Sequence, residues 1–172
     1  MPVIIRLDGR AFHTYTKRCE KPFDIGLISS FQWATLEVLG GIHWWKLAYH
    51  QSDEVSILIT DYDTIDTQWY FDYRINKINS IVSSAMTSAF NRQQDRRKLS
   101  SDTSFSSAQF DCRCFNISEN EIANYFLRRQ KDWERNSINM YAQSLYSHKE
   151  LKGKKIPEVH ELLYKKWVNR AN

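Results

Sequence analysis

Val3-Ile4-Ile5-Arg6-Leu7 is a short apolar run that leads directly into Asp8-Gly9-Arg10-Ala11-Phe12-His13. The run predicts a buried strand. A strand ending in Asp-Gly delivers a carboxylate to its carboxyl end. Gly9 is expected to turn the backbone with positive φ and to let other atoms approach closely. The amides from Arg10 through His13 can then point into one concavity. That arrangement suits a metal-bound polyphosphate, with a carboxylate for the cation and amides for the phosphate oxygens. Asp-Gly is equally ordinary turn chemistry, so the hexapeptide alone favours the plain turn.

A second acidic site shifts the balance. His50-Gln51-Ser52-Asp53-Glu54 lies between two strand-like runs, Trp45-Lys46-Leu47-Ala48-Tyr49 and Val55-Ser56-Ile57-Leu58-Ile59. Two such runs with a short polar break predict a β-hairpin over 42–60, with Asp53 and Glu54 at its tip. The tip lacks the Asn-Gly or Asp-Gly that hairpins prefer, and a costly turn with adjacent acids slightly favours function. If the hairpin pairs beside the first strand, Asp53 and Asp8 converge on one edge of a sheet. Two convergent carboxylates suit a pair of divalent ions roughly 3.5–4 Å apart, the arrangement of in-line phosphoryl or nucleotidyl transfer. A solvated acidic turn is the plainer alternative.

The rest of the chain supplies the frame. A helix is expected over 22–39, with Pro22 in its first turn, Leu27, Phe31, Ala34 and Val38 on one face, and Gly40-Gly41 as its stop. Lys21 and Asp24 stand at its start. A second long helix is expected over 66–92, with Phe71, Ile75, Ile78, Val82, Ala85 and Ala89 as its buried stripe. Arg74 and Lys77 share another face of it, one turn apart; on spacing alone they read as a solvated cationic edge. Residues 93–109 read as a mobile, Ser-rich loop; Arg92, Arg96, Arg97 and Lys98 face tRNA phosphates, or the loop serves only to solubilise. Phe110–Phe115 alternates like a strand. Ser118 and Glu121 form a capping box for a third helix to about Tyr146, along which Arg129, Asp132, Arg135 and Asn136 make a polar face. The tail from Gly153 to Trp167 is basic and helical near its end. The order β-α-β-β-α-β predicts an α+β fold: a ferredoxin-like, polymerase-palm antiparallel sheet with helices on one face and a helical C-terminal extension. Such a sheet carries many functions, so the carboxylates, not the fold, bear the functional reading.

At 172 residues the chain is long enough for a real core and reads as a single palm-like unit, with a core of about 1–117 and a helical part from about 118 to 172. Its net charge of +4 is compatible with RNA without being diagnostic. No apolar run reaches membrane-spanning length and no signal peptide precedes the first strand, so no membrane partner is expected and the cytoplasm is the default. Cys19, Cys112 and Cys114 are odd in number and lack a Cys-x-x-Cys array, which predicts reduced structural thiols. The scattered histidines argue against a zinc site.

Taken together, Arg6-Leu7-Asp8-Gly9-Arg10-Ala11-Phe12-His13, Lys21-Pro22-Phe23-Asp24 and His50-Gln51-Ser52-Asp53-Glu54 resemble, in order and spacing, the tRNA-His guanylyltransferase family. That family includes the Thg1-like proteins, which add nucleotides to tRNA 5′ ends in the 3′-to-5′ direction. The resemblance continues through Arg74 and Lys77 to Arg129-Gln130-Lys131-Asp132 and Arg135-Asn136-Ser137. It implies an RNA 5′-monophosphate activated with ATP or GTP, attack by the 3′-hydroxyl of an incoming NTP, and later removal of pyrophosphate. It implies two Mg²⁺ ions on Asp8, the Gly9 carbonyl and Asp53, with Asp8 and Asp53 catalytic and Glu54 tuning the site from behind. The triphosphate would be cradled by the amides of Gly9, Arg10, Ala11, Phe12 and His13 with Ser52, and clamped by Arg74 and Lys77. Lys21, Asp24, Arg129 and Asn136 would face the RNA or its 5′ end. tRNA, nucleoside triphosphates and further copies of the chain, four in many family members, are the implied partners. Family members also carry an additional N-terminal segment, so the chain reads as a short form, natural or trimmed.

One departure bears on the substrate. Eukaryotic members that read the tRNA-His anticodon carry His-Ile-Asn-Asn where this chain has Glu134-Arg135-Asn136-Ser137. The absence of the His resembles the Thg1-like branch, whose members extend truncated tRNA 5′ ends against a template. Two rivals stand beside this reading. Another palm-type nucleotidyl transferase or cyclase would need the same carboxylates but no tRNA. A non-catalytic RNA-binding module would stack bases on exposed strand aromatics, a pattern that Phe110–Phe115 does not match.

Overall fold

The computed structural model describes residues 1–60, 62, 68–98 and 107–171. Four strands, β1 (Val3–Gly9), β2 (Trp45–Gln51), β3 (Glu54–Ile59) and β4 (Phe110–Asn116), form one sheet in the order β2-β3-β1-β4. Every neighbouring pair is antiparallel. The helices are α1 (Phe12–Tyr15), α2 (Ile25–Leu39), α3 (Ile75–Lys98), α4 (Ile122–Leu145), α5 (His148–Leu151) and α6 (Ile156–Ala171). The expected β-α-β-β-α-β order and antiparallel sheet are both present.

Strand alternation sorts β1 into two chemistries. Val3, Ile5 and Leu7 join the core shared with α2 and α3, each 1% exposed or less. Burial of each such side chain contributes about 1.5–3 kcal/mol. The alternate residues, Ile4, Arg6 and Asp8, point to the other face. Part of that face is covered by α4, where Tyr125 and Ser56 share a 2.8 Å hydrogen bond. The helical extension thus reaches the sheet face opposite α2 and α3.

The aromatic core closes directly under the Asp-Gly turn. The Phe12 ring lies 5.5, 5.7 and 5.3 Å from the rings of Phe31, Phe90 and Phe110. A Cβ on Gly9 would sit 2.2 Å from the Phe12 ring. Close approach therefore explains Gly9, whereas the expected positive φ belongs instead to Ala11, at 55°.

Several boundaries differ from expectation. The Lys21–Pro22 bond is cis and lies before α2; Asp24, in an extended conformation, is the N-cap and accepts from the Leu27 amide at 2.8 Å. Phe71, Asp72 and Tyr73 all have left-handed φ, at 51, 52 and 53°, which a continuous helix cannot hold. A 3₁₀ turn over Tyr70–Tyr73 results, and α3 starts only at Ile75. Its buried side chains include Ile78, Val82, Met86, Ala89 and Phe90, while Ile75 is 53% exposed. Residues 93–98 continue α3 rather than beginning a loop; the rest of the expected loop, 99–106, lies outside the described residues. Ser118 makes no side-chain cap and leads into a 3₁₀ turn, Glu119–Glu121. A capping box forms instead between Ser147 and Glu150, at the start of α5. Glu54 is not at the hairpin tip but is the first residue of β3. All three cysteines are free, as expected, and burial pushes the Cys112 and Cys114 thiols up to about 12 and about 11.

Asp24 joins the two long core helices. Its carboxylate, in a residue 7% exposed, also receives Arg97 Nη2 of α3 at 2.8 and 3.0 Å. Burial raises its pKa, but the Leu27 amide and Arg97 guanidinium outweigh that and hold it below the ordinary value. The resulting stability is complete above the unfolded carboxylate's pKa, about 3.9, and is lost as pH falls through the folded value. Asp24→Ala is therefore expected to cost about 2 kcal/mol in urea denaturation at neutral pH, with the gap to wild type narrowing as the pH falls below the unfolded value. Gly9→Ala is expected to cost about 1–3 kcal/mol in the same measurement. Gly41→Ala, whose Cβ would meet only the Val38 carbonyl oxygen at 3.6 Å, serves as the mild control.

Candidate active site

The turn between β2 and β3 is fixed before it does any chemistry. Ser52 takes the left-handed conformation, φ 52°, that a tight two-residue connection needs. His50 Nε2 donates to the Ser52 carbonyl at 2.8 Å, and its ring stacks on Phe31 at 4.8 Å. Burial holds the His50 pKa below its ordinary value, keeping the ring neutral. The Gly9 amide then donates to the Asp53 carbonyl oxygen at 3.0 Å. This bond brings the end of β1 and the acidic turn together, as the two-site reading required.

The two carboxylates at this junction are electrostatically uncomfortable. Burial pushes the Asp53 carboxyl above its usual range, and the charge of Asp8 adds to that. Asp8 is also pushed up by burial; Arg6 offsets part of this, while Asp111 and Glu54 reinforce it. Partly buried, mutually repelling oxygens form a donor set that a hard divalent cation relieves. Among the described residues no group of three or more His, Cys, Asp or Glu is arranged to hold a metal. The fit to a cation rests on the donors present: the Asp8 and Asp53 carboxylates are hard oxygen ligands of the kind magnesium takes beside water and phosphate oxygens.

The phosphate cradle is narrower than expected. The Gly9 amide is taken by Asp53, and the Arg10 amide donates to the Gln109 carbonyl at 2.8 Å. Ala11, at φ 55° and ψ 33°, turns the chain into α1. Among the described residues no hydrogen bond takes up the amides of Ala11, Phe12 and His13, as expected at a helix start. The Arg10 side chain reaches Gln109 Oε1 at 2.7 Å and borders an open cavity of about 510 Å³ between α3 and the start of β4.

The other expected site residues divide. Glu54, 7% exposed, faces inward between Arg6 and Arg129: Arg6 Nη2 lies 2.5 Å from Oε2, and Arg129 Nη1 lies 3.3 and 3.4 Å from its two oxygens. Arg129 is thus brought to the back of the site, paired with Glu54. Asp24 is consumed by the α2 start and Arg97, which removes it from RNA contact, while Lys21 beside it is exposed. Asn136 is exposed on α4. Arg74 and Lys77 are not brought to the junction. Thr87, midway along α3, accepts from the Phe110 amide beside the Gly9 end of β1; Lys77 stands ten residues, or about 15 Å, away along that helix. There Arg74 lies 3.8 Å from Asp72, and Lys77 sits over the Phe71 ring at 4.8 Å.

Four contributors were given no role by the sequence reading: Arg6 and His50, which stand in its motifs, and Gln109 and Asp111. Asp111 sits directly opposite Asp8 in the β1–β4 register. Phe110–Phe115 reads as a strand by its alternation, but only the strand order makes Asp111 a neighbour of Asp8.

The family model described as tRNAHis guanylyltransferase (Thg1) matches residues 1–118. An uncharacterized protein of Acanthamoeba polyphaga mimivirus is 27% identical over 169 residues, covering 86% of this chain and 57% of that protein. tRNA(His) guanylyltransferase of Schizosaccharomyces pombe is 36% identical over 90 residues, covering 51% of this chain and 33% of that protein. The chain therefore spans less than two thirds of the length of these curated relatives. A solved bacterial tRNA(His) guanylyltransferase (Thg1)-like protein in complex with ATP is 44% identical, with a TM-score of 0.89 over 95% of this chain and 70% of that one. The same kind of bacterial protein in complex with GTP gives 44% identity and a TM-score of 0.81, over 86% of this chain and 69% of that one. Saccharomyces cerevisiae tRNA(His) guanylyltransferase shares the fold, at 22% identity and a TM-score of 0.78 over 96% of this chain and 76% of that one. With the family model spanning well over half of its length, the chain belongs to the tRNAHis guanylyltransferase (Thg1) family.

Proposed function

We propose that this protein is a nucleotidyltransferase that adds nucleotides to the 5′ end of tRNA in the 3′-to-5′ direction, after ATP or GTP activates the 5′-monophosphate. The observation that carries the reading is the junction of Asp8, Asp53 and the open amides of Ala11–His13 at one end of the sheet. The bacterial relatives in complex with ATP and GTP support the choice of nucleotides. Asp8, Asp53 and the Gly9 carbonyl would hold two Mg²⁺ ions, which would supply positive charge at the phosphorus and at the attacking hydroxyl.

The chain's own residues position and neutralise. The Ala11, Phe12 and His13 amides donate to phosphate oxygens, joined by the Ser52 hydroxyl at the turn. Phe12, anchored in the aromatic core, keeps those amides from moving as charge shifts, so little reorganisation is needed during transfer. His50 holds the turn that carries Asp53. Glu134-Arg135-Asn136-Ser137, without the His of the anticodon-reading members, favours extension of shortened tRNAs over strict tRNA-His maturation. A cytoplasmic homo-oligomer is part of the same reading. Among the described residues no helix is long and apolar enough to cross a membrane.

Labelled NTPs are expected to enter a 5′-monophosphorylated tRNA lacking its first nucleotide in Mg²⁺, and not after chelation. Asp8→Asn or Asp53→Asn should reduce the rate about a thousandfold or more, since the charge stabilisation lost is several kcal/mol. The melting temperature of Asp53→Asn should stay at or above wild type, because a charge that burial and Asp8 disfavour is gone. Retained RNA binding with no metal-dependent extension would overturn the enzyme reading in favour of an RNA-binding module.

A further inference from the structure

Behind the acidic junction lies a chain of alternating charges that the proposed chemistry does not itself use. Arg6 is shared: its Nη2 lies 2.5 Å from Glu54 Oε2 and 3.5 Å from Asp8 Oδ2. The Glu54 side chain is 10% exposed and also receives Arg129 from α4. Arg129 is oriented in turn by Asp132 Oδ2, 2.9 Å from its Nη2. A nearly buried carboxylate needs close positive charge, and water cannot supply it there. Here two guanidiniums supply it, and one of them is also the ion-pair partner of Asp8.

We propose that Arg129 is a positioning residue for the active site: by taking part of Glu54, it leaves Arg6 able to hold Asp8. The inference rests on the reading of Asp8 and Asp53 as the cation-holding carboxylates. Without Arg129, Glu54 has Arg6 as its remaining guanidinium, and the shorter of the two Arg6 contacts already points that way. Arg6 then closes fully on Glu54, and the Asp8 carboxylate loses the contact that orients it. Partners one shell behind a metal ligand change affinity about 10–100-fold when removed. The site would therefore be assembled only when α4 is docked on the sheet face opposite α2 and α3.

The test is electron paramagnetic resonance titration of Mn²⁺ into the full chain with ATP, which reads the dissociation constant without requiring turnover. Arg129→Gln is expected to weaken Mn²⁺·ATP binding about tenfold or more, and Arg129→Lys to recover part of the loss. The decisive arm is Arg129→Gln with Glu54→Gln. A neutral amide no longer draws Arg6 away from Asp8, so the double variant should return to within about threefold of wild type. Circular dichroism and melting of each variant establish that it is folded. Should Arg129→Gln not fold, Arg129→Lys with and without Glu54→Gln carries the same comparison. Wild-type affinity in Arg129→Gln, or a double variant as weak as the single, overturns the inference, since a loosened α4 would not be rescued by losing another of its contacts. Wild-type binding that ignores Asp53→Asn overturns the cation-site reading itself, and the positioning role with it.

Discussion

The Phe12 ring occupies the space that any side chain on Gly9 would need, and the site depends on that contact. α1 is four residues long, far too short to hold its shape through its own hydrogen bonds. It keeps its place because Phe12 is 4% exposed and surrounded by Phe31, Phe90 and Phe110. The open amides therefore inherit their rigidity from the hydrophobic core. His50 makes the same connection from the other side, stacking on Phe31 while it holds the Ser52 carbonyl. Both halves of the site are thus fastened to one aromatic cluster.

The opposite sheet face works by charge. Arg6, Glu54, Arg129 and Asp132 form a run of ion pairs between the sheet and α4. Such a network is an expensive way to attach a helix: the desolvation cost offsets much of the attraction, and apolar residues of similar size would hold α4 about as well. What apolar residues cannot do is set the direction of a neighbouring carboxylate. The like-charged pairs Asp8–Asp111 and Arg6–Arg113, directly opposed across β1 and β4, point the same way. Like charges in register are unfavourable, and they are kept here at the end of the sheet where the acids meet.

Strand patterning carried most of the fold. The apolar run of β1, the paired runs of β2 and β3 and the alternation of β4 each reflect burial that a single segment reports by itself. The convergence of Asp8 and Asp53 was legible for the same reason, because it follows from the hairpin lying beside β1. Other features depend on contacts between distant segments. Pro22 looked like a helix start, yet the cap is Asp24, whose second partner is Arg97, 73 residues away. The start of α3 was obscured by left-handed residues that are not glycine. The capping signature at Ser118 was sound chemistry at a place where a 3₁₀ turn intervened. Glu54 looked like a turn acid; its pairing with Arg6 and Arg129 needs the register of two strands and the docking of a helix.

The register of β1 has a consequence for how this protein can change. Side chains alternate along a strand, so the same alignment that sends Val3, Ile5 and Leu7 into the core sends Arg6 and Asp8 to the charged face. Stability and chemistry are two readings of one reading frame. Gaining or losing a single codon within these seven residues would exchange the faces, moving apolar side chains toward the acids and acids toward the core. Substitutions can tune either face of β1 separately, whereas a change of register acts on both at once.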